Sequence, residues 1–361
     1  MYYNYMDPII VSDGIKRDLI NIANGAYAPL RGFLGKDDLV SVVESMRLSD
    51  GQIWSLPIVL PVDGSTRDHY QREEKIELAD DAGQILGIVI HPEFYTYDKN
   101  NLAQKVFGTT DMSHPGVARV INGPDVFLGG KFLVDSSFER RLHAYHLSPD
   151  EVKAEKERRG WKTMVAFQTR NIPHRSHEFL QKEALKVADG LLVHPVVGKK
   201  KSGDFSDELI IESYEALFKH YHDASRAMLA LLPLEMRYAG PREAVHHAIV
   251  RRNHGCTHMI IGRDHAGVGS YYDPFAAQDI FDQFDPAELG IEILKFDNAH
   301  YCSSCGDIVF STNHEHEADP LFSVSGTRLR EMVARRESLP EFIVRPEIAD
   351  IVQRHIKPLV D

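Results

Sequence analysis

Residues 163–197 read TMVAFQTRNIPHRSHEFLQKEALKVADGLLVHPVV, and this stretch decides the fold class. Thr163 to Phe167 and Leu191 to Val197 are short apolar runs of strand length. Between them, Pro173 suits a first helical position and Gly190 suits a helix stop. A strand, a helix and a second strand within this span make a βαβ unit, whose strands must run parallel. Further apolar runs at Glu235–Tyr238, Thr257–Ile261 and Glu292–Phe296 alternate with helical stretches, so the pattern continues as an α/β sheet with helices between its strands. In such a sheet ligands bind beyond the carboxyl ends of the strands, which makes the segment after each strand the first place to look for chemistry.

The first of these segments, Gln168-Thr169-Arg170-Asn171-Ile172-Pro173-His174-Arg175-Ser176-His177, runs straight into a helix N-terminus, where free N–H groups and the helix dipole favour an anion. His174 and His177 are three residues apart and share a face of the first turn, while Arg170 adds a planar cation suited to an oxyanion. The second segment, from His194 to Asp204, carries Lys199, Lys200 and Lys201 between two glycines; it reads as a pyrophosphate loop or as a solvated lysine run, and it lacks the Walker A order. We count His194 with the candidate substrate contacts. The third, Gly240-Pro241-Arg242-Glu243, reads as a helix start. The fourth, Gly262-Arg263-Asp264-His265-Ala266-Gly267-Val268-Gly269, has three glycines that let backbone N–H groups approach an anion, with Arg263 and His265 for charge or hydrogen bonds. Ser325-Gly326-Thr327-Arg328-Leu329-Arg330 places hydroxyls ahead of a helix expected over Thr327 to Arg336 and cations within it.

Outward from this core, the N-terminal third alternates short apolar runs (Ile53–Leu60, Lys75–Leu78, Ile85–Ile90) with turn signals, which predicts a compact β-rich, barrel-like domain ending near Leu142. The three expected domains span 1–141, 142–295 and 296–361. A length of 361 residues with 43% hydrophobic side chains supports a substantial core. The net charge of -12 opposes nucleic-acid binding, so an anionic substrate needs locally concentrated cations. No apolar run spans a bilayer and the first residues lack a signal-peptide pattern, so a cytoplasmic location without membrane contact is expected. Three cysteines are too few for a disulfide framework.

Together, the QTRNxPHxxH, HPxxGxxKxGD and GRDHAGxG segments resemble the ATP sulfurylase (sulfate adenylyltransferase) family, and the HxxH and SGTRLR elements resemble the wider nucleotidyltransferase superfamily. The resemblance implies a PUA-like barrel, a Rossmann-like nucleotidyltransferase domain and a small C-terminal domain. It implies transfer of the adenylyl group of ATP to sulfate, with release of pyrophosphate, by in-line attack of sulfate on the α-phosphate. In that reading Gln168, Thr169, Arg170 and Asn171 contact ATP and sulfate, and His174 and His177 stabilise the transition state. Gly262, Arg263, Asp264 and His265 contact ATP, Ala266 offers its N–H to sulfate, and Ala299 stands on the adenine side. Mg²⁺ accompanies ATP, and a homo-oligomer is expected. The alternative is a nucleotidyltransferase with another acceptor. An RNA-binding module and a metallohydrolase rank lower, because of the charge and because no HExxH pattern is present.

Cys302 and Cys305, followed by His314 and His316, form a CxxC-x8-HxH pattern that could close a structural Zn²⁺ site; the other reading is two free thiols and exposed histidines. Some bacterial members of the family hold zinc here with three cysteines and one histidine. In this chain no third cysteine follows Cys305, and His314 stands about where it would be.

Overall fold

The β-strands of the N-terminal region form because residues such as Ile76, Leu78 and Val89 turn one face of a pleat to a core while Lys75 stays exposed. In the computed structural model, which describes residues 6–138, 143–198, 202–313, 321–323 and 326–360, the chain divides into two units. The first unit contains residues 1–142, 237–254 and 264–289; the second contains 143–236, 255–263 and 290–361.

The first unit is built on strands β1 (Ile9–Ile10), β2 (Gly32–Phe33), β3 (Leu60–Val62), β4 (Lys75–Ala79), β5 (Ile85–Thr96) and β6 (Val126–Val134). They pair in the order β1-β4-β5-β6-β2, with β3 also on β6; all pairs are antiparallel except β1 with β4. Where β2 meets β6, a Cβ on Gly32 would lie 1.9 Å from the Gly130 carbonyl oxygen, so only glycine permits that pairing. Helices α1 (Asp13–Ala23), α2 (Lys36–Ser45), α3 (Gly64–Tyr70), α4 (Lys99–Phe107) and α5 (Pro115–Asn122) accompany the sheet. Later segments add α9 (Pro241–Asn253) and the short α10 (Ala276–Asp279) and α11 (Pro286–Leu289). Helix α9 is buried without a break from Glu243 to Arg251. Its polar groups are used: Arg242 donates to the Val42 and Val43 carbonyls (3.0 and 2.8 Å) at the end of α2, and Asn253 donates to the Ala26 and Ala28 carbonyls (2.9 and 2.8 Å). His246 stands edge to face on both Tyr27 and Trp54.

The second unit carries a parallel sheet of β7 (Met164–Thr169), β8 (Gly190–Val197), β9 (Ala227–Leu229), β10 (Leu232–Pro233), β11 (His258–Ile261) and β12 (Glu292–Lys295). Its order is β10-β8-β7-β11-β12, with β9 also on β8. The chain winds outward from β7 through β8 and then returns to the other side through β11, so the order reverses between β7 and β11, the place where such sheets bind ligands. Helices α6 (Pro149–Arg158), α7 (Arg175–Ala184), α8 (Asp207–Tyr221), α12 (Gly326–Ala334) and α13 (Pro346–Arg354) complete it, with a small antiparallel sheet β14-β13-β15 from β13 (Ala299–Cys302), β14 (Asp307–Phe310) and β15 (Leu321–Ser323). One apolar cluster joins Val165, Leu191 and Ile260 of the parallel sheet with Leu329, Val333 and Ile348 of the C-terminal helices, so residues 290–361 share the core of this unit.

Several expected elements differ. Residues 53–59 are not a strand: Ile53 only bridges Arg47, Pro57 interrupts the run, and the buried side chains fill the core as irregular chain. Glu235–Tyr238 is not a strand either, since pairing stops at Pro233 and Tyr238 turns with a φ of 60°. Pro173 precedes the helix instead of opening it, because His174 is the N-cap; α7 ends at Ala184, and Gly190 already begins β8. Among the described residues no helix is long and apolar enough to cross a membrane.

Candidate active site

The end of β7 and the start of α7 set the geometry of the second unit's site. Register pairs Gln168 with His194 across β7 and β8, and His194 is fully buried. Thr169 Oγ1 accepts the Asn171 N–H at 3.0 Å and donates to the Asn171 carbonyl at 3.2 Å, which closes the chain into a tight turn after the strand. The His174 ring caps α7 by accepting the His177 N–H at 3.4 Å on Nδ1. The two imidazoles then stack with centroids 3.6 Å apart, and His177 also meets Phe167 edge to face. Burial pushes His174 down to about 3, and burial followed by the neighbouring His174 holds His177 well below the usual imidazole range. The pair is therefore uncharged at neutral pH, and what it can offer a ligand is N–H groups and lone pairs. Among the described residues neither Gln168 Oε1 nor His177 Nδ1, both buried, has a hydrogen-bond partner.

Neighbouring elements hold this turn in place. Buried Glu178, one residue beyond His177, takes both Nε and Nη2 of Arg345 at 2.8 and 2.7 Å, and the Arg345 guanidinium lies over the Tyr221 ring. Ser176 Oγ donates to the Ala299 carbonyl at 3.2 Å, which brings β13 beside the first turn of α7. From α12, Arg330 donates to Asn171 Oδ1 at 2.6 Å and lies 3.7 Å from buried Asp204, which follows the lysine run. A Cβ on Gly326 would come within 2.7 Å of the Asn171 side chain, so the start of α12 is shaped around that residue. Arg263, exposed after β11, acts electrostatically on His300 of β13. Arg330 and Asp204 were not among the candidate site residues from sequence. The signals that could have found them were the SGTRLR segment and the GD pair closing the lysine loop.

Asp264, His265 and Ala266 belong to the first unit, whereas Gly262 and Arg263 belong to the second. In the first unit Asp264 and Ala266 have φ of 54° and 57°, and the His265 Nε2 lies 3.0 Å from His247 Nδ1.

Residues 143–355 match the family profile described as ATP-sulfurylase. The chain belongs to the ATP-sulfurylase family. Residues 4–136 match the profile of a PUA-like domain. A sulfate adenylyltransferase of Ignicoccus hospitalis is 45% identical over 350 residues, covering 97% of this chain and 91% of that one. One from Pyrococcus abyssi is 44% identical over 351 residues, with the same coverage of 97% and 91%. A solved structure titled hexameric APS kinase from Thiobacillus denitrificans superposes with a TM-score of 0.76 at 22% identity, over 98% of this chain and 64% of that chain, a likeness of fold. This chain thus spans less than two thirds of that solved protein.

Within this family member the second unit gathers Gln168, Thr169, Asn171, His174, His177, His194 and Ala299 around β7, β8 and β13. Of the expected zinc ligands, Cys302 is buried and Cys305 exposed on the β13–β14 turn, with the Cys305 N–H directed to Cys302 Sγ at 3.3 Å. His314 and His316 lie outside the described residues. Among the described residues no group of three or more His, Cys, Asp or Glu side chains is placed to hold a metal ion, so zinc does not follow from the geometry.

Proposed function

We propose that the chain is a sulfate adenylyltransferase, joining sulfate to the α-phosphate of ATP and releasing pyrophosphate. The observation that carries the reading is the first turn of α7, at the point where the strand order reverses: a helix N-terminus, two stacked uncharged imidazoles and Arg170 within one short segment. Sulfate is a weak nucleophile, so catalysis rests on holding it in line with the α-phosphorus and on meeting charge that develops in the transition state. Arg170 supplies a permanent cation for sulfate. His174 and His177, kept neutral by burial, donate hydrogen bonds to phosphate oxygens without fixing an extra charge in the ground state. Thr169 and Arg330 act on Asn171, the first from its own strand and the second from α12, and so hold the turn that presents Arg170. Gly262, Arg263, Asp264, His265 and Ala266 contact ATP and sulfate as the family resemblance implies, and Ala299 lies on the adenine side. Mg²⁺ bound with ATP neutralises charge on phosphate oxygens. No covalent intermediate is required. In the Cys302–Cys305 turn, the Cys305 N–H directed at Cys302 Sγ supports half of a zinc clip; near-stoichiometric zinc lost in Cys302→Ser is the result that would establish it.

The test of the activity is pyrophosphate release from ATP with Mg²⁺, with and without sulfate. Release only with sulfate is expected. Release of equal size without sulfate, or with another acceptor in its place, would favour a nucleotidyltransferase of different specificity.

A further inference from the structure

His265 lies in a loop of uncommon backbone shape. Asp264 and Ala266 flank it with φ of 54° and 57°, in the left-handed region that residues with side chains seldom occupy. Three backbone hydrogen bonds hold that shape: Asp264 N–H to the Pro274 carbonyl (2.7 Å), Gly240 N–H to the Ala266 carbonyl (3.1 Å) and Gly267 N–H to the Asp264 carbonyl (3.3 Å). The ring is held as well. His265 Nε2 lies 3.0 Å from Nδ1 of His247, and the rings meet edge to face with centroids 5.3 Å apart.

His247 sits on α9 and is fully buried; its other nitrogen, Nε2, faces Glu243 Oε1 at 3.7 Å, one helical turn earlier. Glu243 is equally buried, and each of its oxygens already accepts an amide: Oε1 from Arg237 N at 2.8 Å and Oε2 from Ala239 N at 2.9 Å. Burial, followed by the charge of Arg251, holds His247 well below the usual imidazole range, so the ring carries one proton. At 3.7 Å the Glu243 oxygen is beyond hydrogen-bond reach of Nε2, but its partial charge favours a proton on that nitrogen, whereas a proton on Nδ1 would set a bare nitrogen towards an oxygen. Nδ1 is then the acceptor, and the bond between the rings runs from His265 Nε2–H to His247 Nδ1.

We propose that His247 is a positioning residue: fixed in the buried helix α9, with a Glu243 oxygen 3.7 Å from its Nε2, it sets both the orientation of His265 and its Nε2-protonated tautomer. This deepens the reading above and rests on it in one respect, that His265 contacts the nucleotide.

The experiment uses the full chain and sulfate-dependent pyrophosphate release. His247→Leu fills the volume and removes both ring nitrogens, and His247→Asn keeps a polar atom near the Nδ1 position. His247→Leu is expected to lower kcat/KM for ATP by about five- to tenfold, the worth of one hydrogen bond. His247→Asn should recover most of the loss. On a His265→Ala background, His247→Leu should change the rate by less than about twofold, because the contact it supports is gone. Equal losses on both backgrounds would overturn the proposal and leave His247 as packing alone. If His265→Ala keeps full activity, the nucleotide contact of His265 fails together with the proposal, while sulfate-dependent release still stands. A reading independent of any variant comes from nitrogen shifts of ¹⁵N-histidine-labelled protein: His265 protonated on Nε2 supports the proposal, and protonation on Nδ1 overturns it even if His247→Leu does not fold.

Discussion

His174 serves two masters at once, as helix cap and as ring partner of His177, and both roles need it neutral. The acid stability of the protein follows. In the unfolded chain its imidazole takes up a proton near pH 6.5, whereas in the folded state burial delays this to about 3. The folded pKa is depressed, so the contribution is fully present above about pH 6.5 and is lost as pH falls towards 3, at up to ~1.4 kcal/mol per pH unit. Urea unfolding at pH 7, 6 and 5 should show this decline, and His174→Asn should flatten it by one proton's worth. His177 is the cleaner catalytic probe, because its substitution leaves the cap's side chain in place. His177→Ala is expected to lower kcat about 100-fold or more with KM for ATP within about threefold, the pattern of a donor used in the transition state. Parallel losses in kcat/KM through KM alone would instead mark a ground-state contact.

At the scale of elements, the strands β7, β8 and β11 could be read from sequence because buried strands are nearly continuous apolar runs, whereas β12, exposed at Glu292 and Lys295, offered only Ile293 and Leu294. The same rule misled at Ile53–Leu60, where residues 53–59 fill a core with only the single bridge of Ile53 to Arg47 before β3 begins at Leu60. Helix α9 is buried from Glu243 to Arg251, so no polar face in the sequence told which core it serves. Of the candidate site, what could be read was local in sequence: the QTRN turn and the HxxH pair each occupy a single segment. It was not legible where a partner arrives from afar, as when Arg330 reaches Asn171 across 159 positions. That contact gives α12 a testable part in the chemistry. Gly326→Ala puts a methyl group 2.7 Å from the Asn171 amide, so the Asn171 side chain or the helix must shift. Alanine otherwise suits a helix, and the site lies at its start, so little stability should be lost while kcat/KM falls about tenfold. A variant with unchanged kinetics would show that Asn171 tolerates displacement.

For the molecule as a whole, the matched PUA-like segment at 4–136 is shorter than the unit that contains it. Trp54 and Tyr27 pack on His246, and the ends of α2 and of the Ala26–Ala28 turn are closed by Arg242 and Asn253. His246, Arg242 and Asn253 all lie beyond residue 236. A fragment ending at Leu142 is therefore expected to bind a dye for exposed apolar surface and to unfold without a sharp transition, unlike the full chain. A cooperative transition in that fragment would show that the sheet β1–β6 closes its own core.

The interleaving of the two units also has a cost in time. The first unit is not fully synthesised until Leu289, 147 residues after Leu142 (289 − 142). At about 5–20 residues per second this leaves roughly 7–30 s in which a growing chain carries the β1–β6 sheet without the helix that fills it. Through that interval the ribosome presents Trp54 and its neighbours to whatever binds apolar surface, so the speed of translation over 143–289 becomes a determinant of how much of the protein survives its own birth.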